Sequence, residues 1–178
     1  MKTAIAYLVG FMGAGKTEVG RRLAELLSWT FVDLDQEIVR REGISISEIF
    51  QLRGEARFRV LEREELERVS RGQDLVVAVG GGCFCSSENQ STVGRTGISV
   101  WLDAPIEVLF ARCAGDAAAR PLLTTMEAMA RLLEIRRPFY ARADLHIQTA
   151  GRSVDEVARE ILAQQRHSLR RLGNKPVF

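Results

Sequence analysis

Cysteine, histidine, lysine and long apolar runs are all scarce in this chain, and each scarcity closes off a class of protein. Three cysteines in 178 residues are too few, and odd in number, for a disulfide scaffold. The pair in Cys83-Phe84-Cys85 is too short and solitary to hold zinc without further ligands, and neither histidine, His146 or His167, has a partner visible in the sequence. These two thiols read as local packing or as incidental, and Cys113, on the apolar side of a helix, reads as core. No apolar stretch approaches the about 20 residues that cross a bilayer, and no charged-then-apolar leader opens the chain. A soluble, cytoplasmic protein without a membrane partner is therefore expected, and separately a monomer. A net charge of only +2 gives the chain no general attraction for nucleic acid, and a basic tail alone does not change that. Internal repeats, low-complexity tracts and interdomain linkers are also missing, which leaves one domain over residues 1–166 and a frayed basic tail over 167–178. Of the 25 basic residues only Lys2, Lys16 and Lys175 are lysines. Nearly every cation is thus a planar guanidinium fork, a shape matched to carboxylates and phosphates.

Against those absences stands Gly10-Phe11-Met12-Gly13-Ala14-Gly15-Lys16-Thr17, which fits the phosphate-cradling pattern G-x-x-x-x-G-K-[ST]. Glycines let successive backbone N–H groups turn toward one anion, and the helix start that follows adds partial positive charge. Lys16 then reaches the terminal phosphates of a nucleoside triphosphate, and the Thr17 hydroxyl is placed for a magnesium ion. The flanks agree. Ala4 to Val9 reads as a strand buried on both faces, and Val19, Leu23, Leu26 and Leu27 recur at helical spacing.

Further strands are expected at Phe31-Val32, Leu75 to Val79, Ile98 to Leu102 and Leu145 to Ile147, alternating with amphipathic stretches. That alternation predicts a three-layer α/β/α domain with five parallel strands. Ser45…Glu48, Thr124…Glu127 and Ser153…Glu156 fit reciprocal helix caps, and Pro105 marks another helix start. In such sheets ligands gather beyond the carboxyl ends of the strands. The loops there carry Asp33-Leu34-Asp35, Gly80-Gly81-Gly82 and, after an Ala-rich connection from Gly115, Arg120-Pro121. Each has a plainer reading. Asp33 and Asp35 can be a helix cap and a surface turn, Arg59 and Glu62 a solvated helical pair, and Arg136 and Arg137 charges on a helix end.

Taken together, the phosphate loop, Asp33-x-Asp35, Gly54-Glu55-x-x-Phe58-Arg59-x-x-Glu62, Gly80-Gly81-Gly82, Arg120-Pro121-Leu122-Leu123 and Arg136-x-Pro138-x-Tyr140 resemble shikimate kinases, in family order and over nearly the whole chain. The resemblance implies a P-loop fold like that of the nucleoside monophosphate kinases, with a lid at about 114–124. It implies transfer of a phosphoryl group from ATP to the 3-hydroxyl of shikimate with Mg2+ as cofactor. It places Gly13, Ala14, Gly15, Lys16, Thr17, Glu18, Arg112, Arg120 and Arg152 on the nucleotide. Asp35, Arg59, Gly80, Gly81, Gly82 and Arg136 would fall on the acceptor, and Thr17 and Asp33 on the metal. Lys16, Asp35 and Arg120 would be the catalytic residues. Two departures stand out: Val79 replaces the hydroxyl residue common before the three glycines, and the lid segment Gly115-Asp116-Ala117-Ala118-Ala119 is rich in alanine. The competing readings are a related kinase of a sugar acid such as gluconate, and a non-catalytic nucleotide-binding relative. Against the latter, Asp35, Arg59, Arg120 and Arg136 are all retained.

Overall fold

Five short apolar runs become five parallel strands, β1 (Ile5–Val9), β2 (Thr30–Asp33), β3 (Leu75–Ala78), β4 (Ile98–Asp103) and β5 (Leu145–Gln148). The computed structural model describes residues 5–113 and 125–172, so the expected lid and Arg120 lie outside the described residues. The strand order is β2-β3-β1-β4-β5. β1 is buried along its whole length, as a central strand covered on both faces must be, while β5 alternates exposed and covered positions at the sheet edge. Register follows from parallel pairing, with Leu8 opposite Ala78 on one side and Val100 on the other.

That order brings function together. Because β3 lies between β1 and β2, the loops leaving these three strands are neighbours, although the sequence between them contains three helices. The phosphate loop, the three glycines and the Asp33-x-Asp35 turn therefore line one rim of the sheet.

Seven α-helices are described, α1 (Lys16–Leu27), α2 (Leu34–Glu42), α3 (Ile46–Val69), α4 (Ser87–Thr96), α5 (Ile106–Cys113), α6 (Met126–Tyr140) and α7 (Val154–Leu172), with a 3₁₀ turn at Cys83–Cys85. None of them is long and apolar enough to cross a membrane. Helices α1 and α7 pack on each other along one side of the sheet, while α5 and α6 pair and α4 meets β4. The Ser45 and Ser153 caps form as expected, each hydroxyl accepting the backbone N–H three residues on. Two expectations need correction. The cap of α6 is Thr125, whose hydroxyl accepts from the Ala128 N–H, one residue later than the Thr124…Glu127 pattern, which partly falls outside the described residues. Helix α7 runs on to Leu172, past the point where apolar periodicity fades, because backbone hydrogen bonding can carry a helix beyond its buried face.

Helix α3 is two helices joined at Gly54, whose backbone sits at φ 77° and ψ 166°. Nothing crowds the space where a Cβ would be, so glycine is required there for backbone conformation alone. The bend separates the stretch that begins at Ser45 from the stretch that carries Arg59 and Glu62. A small apolar cluster of Ile38, Ile49, Phe58 and Leu61 closes α2 against α3 and stands apart from the main core. That core fills the space between sheet and helices, with Trp101 in it as packing rather than as an open stacking platform.

Candidate active site

The phosphate loop is held by the lysine it contains. Lys16 opens α1 behind Gly15, which adopts φ 93°, and its Nζ donates to the Gly10 and Phe11 carbonyls at 2.9 and 3.0 Å. These bonds keep the ammonium over the loop whose amides would cradle an anion. Gly13 and Ala14 stand in the turn before Gly15, while Glu18 is exposed on the first turn of α1.

Next to it, Thr17 Oγ1 donates to Asp33 Oδ2 at 3.0 Å. Asp33 also caps α2, its Oδ1 accepting from the Gln36 N–H at 3.3 Å. The plainer reading of Asp33 as a helix cap thus holds for one carboxylate oxygen, while the other takes the Thr17 hydroxyl. A hydroxyl and a carboxylate oxygen side by side, at a helix start, form a hard oxygen donor set suited to magnesium.

Asp35 sits on the first turn of α2 and is half-buried. A Cβ added at Gly80 would stand 2.7 Å from Asp35 Oδ1 and 2.7 Å from Glu62 Oε1. One at Gly82 would meet Arg59 Nη1 at 2.5 Å, and one at Gly81 would meet Arg136 Nη1 at 3.2 Å. The three glycines are therefore side-chain-free because four charged side chains close on them from α2, α3 and α6. Arg136 further lies over the Phe11 ring, 5.8 Å from its centroid, which ties the acceptor side to the phosphate loop.

Arg59 is not a solvated partner of Glu62. Its Nη1 donates to Glu62 Oε2 at 2.9 Å and its Nη2 to Glu55 Oε1 at 2.9 Å, and Glu62 is 1% exposed. Glu62 Oε1 accepts no hydrogen bond among the described residues. Burial pushes the Glu62 carboxyl up to about 7, the Arg59 guanidinium acting against that rise and the Asp35 carboxylate adding to it. A cavity of about 300 Å3 borders Arg59, Glu62, Gly82 and Cys85.

Two further residues belong to this site that their spacing in the sequence does not mark as site members, Glu62 and Tyr140. Glu62 was signalled only by its i, i+3 spacing from Arg59. Tyr140 follows Arg136 by one helical turn, is fully buried, and donates its hydroxyl to the Gly81 carbonyl at 2.5 Å. His146 also needs correction. It has partners: it shares a hydrogen bond with Asp103 Oδ2 at 3.1 Å and stacks on Trp101 with ring centroids 4.1 Å apart. Strand register placed Trp101 opposite His146, a pairing no sequence spacing displays. Cys83 is buried and Cys113 packs on the core, half-buried.

The two described arginines expected at the nucleotide, Arg112 and Arg152, behave differently from each other. Arg112, at the end of α5, donates to the Gly13 carbonyl at 3.3 Å and to Thr149 Oγ1 and carbonyl at 3.1 Å each, so it spans from the phosphate loop to the end of β5. Arg152 is engaged by the Gln148 carbonyl at 3.1 Å, the Glu156 carbonyl at 3.3 Å and the Glu160 carboxylate.

One crevice thus holds an anion-binding loop with its lysine, an oxygen donor pair, a half-buried carboxylate and two guanidinium forks. The family model for shikimate kinase matches residues 12–166. The chain belongs to that family. A shikimate kinase from Persephonella marina is 46% identical over 161 residues, covering 90% of this chain and 98% of that one. A solved shikimate kinase from Acinetobacter baumannii, in complex with shikimate, aligns with a TM-score of 0.89 at 38% identity over 93% of this chain and 94% of the other. A gluconokinase from Sinorhizobium meliloti aligns with a TM-score of 0.62 at 17% identity, over 96% of each chain, which is a likeness of fold alone.

Proposed function

We infer that this shikimate kinase family member transfers the terminal phosphoryl group of ATP to the 3-hydroxyl of shikimate. The observation that carries the reading is the convergence of Asp35, Arg136 and Arg59 on three consecutive glycines, Gly80, Gly81 and Gly82. An acceptor with one carboxylate and several ring hydroxyls needs cationic forks at one end and a hydrogen-bond acceptor at the other. Arg59 and Arg136 supply the forks, with Gly81 and Gly82 offering backbone between them. Asp35 accepts from the ring hydroxyl and orients its oxygen toward the phosphate loop, positioning being the main requirement of a loose phosphoryl-transfer transition state.

On the other side of the crevice, Gly13, Ala14, Gly15, Lys16 and Thr17 cradle the phosphates, with Glu18 beside them. Thr17 and Asp33 are the residues that would hold magnesium, which when bound neutralises charge on the phosphate oxygens. Lys16, and Arg120 from the lid, neutralise charge that spreads over the transferred group. Arg112 is anchored between the Gly13 and Thr149 carbonyls, where its guanidinium plane can take the base by stacking. Arg152 contributes to the same edge once its contact with Glu160 yields. The working unit is one monomer of a cytoplasmic enzyme, with residues 1–166 as its single domain.

The test is a parallel assay of magnesium- and ATP-dependent ADP formation with shikimate, with gluconate and with no acceptor. Turnover with shikimate alone is expected. ADP release at the same rate without an acceptor, or a preference for gluconate, overturns the reading.

A further inference from the structure

Tyr140 sits at a junction that neither the phosphate chemistry nor the forks explain. Its ring is fully buried, tilted against Trp101 at 6.1 Å between centroids. Its hydroxyl donates to the Gly81 carbonyl at 2.5 Å. A Cβ at Gly81 would lie 3.8 Å from that hydroxyl and 3.2 Å from Arg136 Nη1, so phenol, guanidinium and loop backbone meet within one small volume. Arg136 lies one turn earlier on the same face of α6, and Pro138 between them leaves α6 short of one backbone donor. Behind the ring, Trp101 is backed by the stacked His146 imidazole. The phenol is wedged between the sheet and the glycine loop. Burial pushes the Tyr140 hydroxyl well above its ordinary range, so it remains a neutral O–H donor across the working pH range.

We propose that Tyr140 is a positioning residue that fixes the spacing between Arg136 and the Gly81 backbone, and so sets how tightly the acceptor carboxylate is gripped. The phenol O–H takes up the Gly81 carbonyl oxygen, which leaves the remaining face of Gly81 toward the ligand. Its oxygen faces the Arg136 guanidinium and limits the directions in which that fork can point. Removing the hydroxyl deprives a partly buried carbonyl of its donor and frees the fork together. The inference rests on Arg136 acting as a carboxylate clamp, and it adds a residue that touches neither substrate.

The experiment compares the parent with Tyr140→Phe, using shikimate and its methyl ester as acceptors, with KM for ATP and the thermal midpoint measured alongside. For shikimate, KM is expected to rise about tenfold, equivalent to about 1.4 kcal/mol, with kcat within about twofold and KM for ATP unchanged. For the ester, which has no carboxylate to grip, parent and variant should differ by less than about twofold. A role in packing alone would lower the thermal midpoint and weaken acid and ester alike, and that result overturns the proposal, as does an unchanged KM for shikimate. A parent that fails to phosphorylate shikimate would instead overturn the proposed function.

Discussion

The two sides of the crevice are built in opposite ways. The nucleotide side is local: residues 10–17 run without a break from strand to helix, and Phe11 and Ala14 are buried in the main core. The acceptor side is assembled from α2, α3, the 80–82 loop and α6, and α2 and α3 close on a small apolar cluster of their own. One side inherits its geometry from consecutive backbone and a large core. The other depends on long-range contacts and four separate charged side chains, so its fine geometry is easier to change without unfolding the molecule.

The hardest blow to that contrast is to disable each side at its centre. Asp35→Asn should lower kcat by about 10²- to 10⁴-fold with ATP binding kept, and Lys16→Met should lower it by about 10²- to 10³-fold with shikimate binding kept. Equilibrium titration of each variant with both ligands checks this. If either substitution weakens binding on the far side as strongly as on its own, the two sides are not separable.

A finer cut exchanges forks rather than catalytic groups. Arg59→Ala is expected to raise KM for shikimate by about 10- to 100-fold, the loss of charge-assisted hydrogen bonds to a carboxylate, while leaving KM for ATP nearly constant. Arg112→Ala should do the reverse and more weakly, since stacking on a base is a smaller term. Steady-state kinetics with each substrate varied in turn would expose a crossed pattern, which the contrast does not allow.

Protonation of Glu62 sharpens the acceptor side further. Its carboxyl is raised from 4.5 to about 7 by burial, so the stabilisation associated with the protonated form is fully present below about pH 4.5 and is lost as pH rises through about 7. Between those limits the parent should lose about 3 kcal/mol relative to Glu62→Gln, a difference readable from urea unfolding of both proteins across pH. Parallel stability profiles would mean that Arg59 neutralises the carboxylate fully. The smallest expected effect is at Ser45, where Ser45→Ala removes a hydroxyl cap from α3 and should cost about 1 kcal/mol. It should act on KM for shikimate before KM for ATP, and equal shifts in both would place Ser45 outside the acceptor side.

Much of this is legible in the residues alone. The five strands, the phosphate loop, the glycine loop and the helices that carry Asp35 and Arg136 follow from period, turn chemistry and spacing along the chain. What stayed hidden shares one cause. Glu62 is three residues from Arg59, a spacing common on solvated helix faces, and only the folding of α3 over Gly80 buries it. Tyr140 closes the Arg136-x-Pro138-x-Tyr140 motif without showing what its hydroxyl meets until Gly81 is brought beneath it. His146 stayed hidden because Asp103 and Trp101 reach it from the neighbouring strand β4, more than forty residues away in sequence. The cap of α6 slipped by one residue because two adjacent threonines offer equivalent hydroxyls, and backbone direction chooses between them.

By itself the sequence determined that an anion-cradling loop would form, that the sheet would be parallel and open at its carboxyl rim, and that the chain carries the residues of a shikimate kinase. These are outcomes of local backbone preference and of apolar periodicity, which neighbouring residues settle among themselves. Tertiary structure alone decided that Asp35 and Glu62 face one glycine, that Arg59 and Arg136 face the next two, and that a buried phenol joins one fork to the loop. Those arrangements depend on strand order and on the exclusion of water from charged groups far apart in the chain. Burial, charge proximity and hydrogen-bond satisfaction are properties of the packed molecule, and no spacing along a sequence contains them.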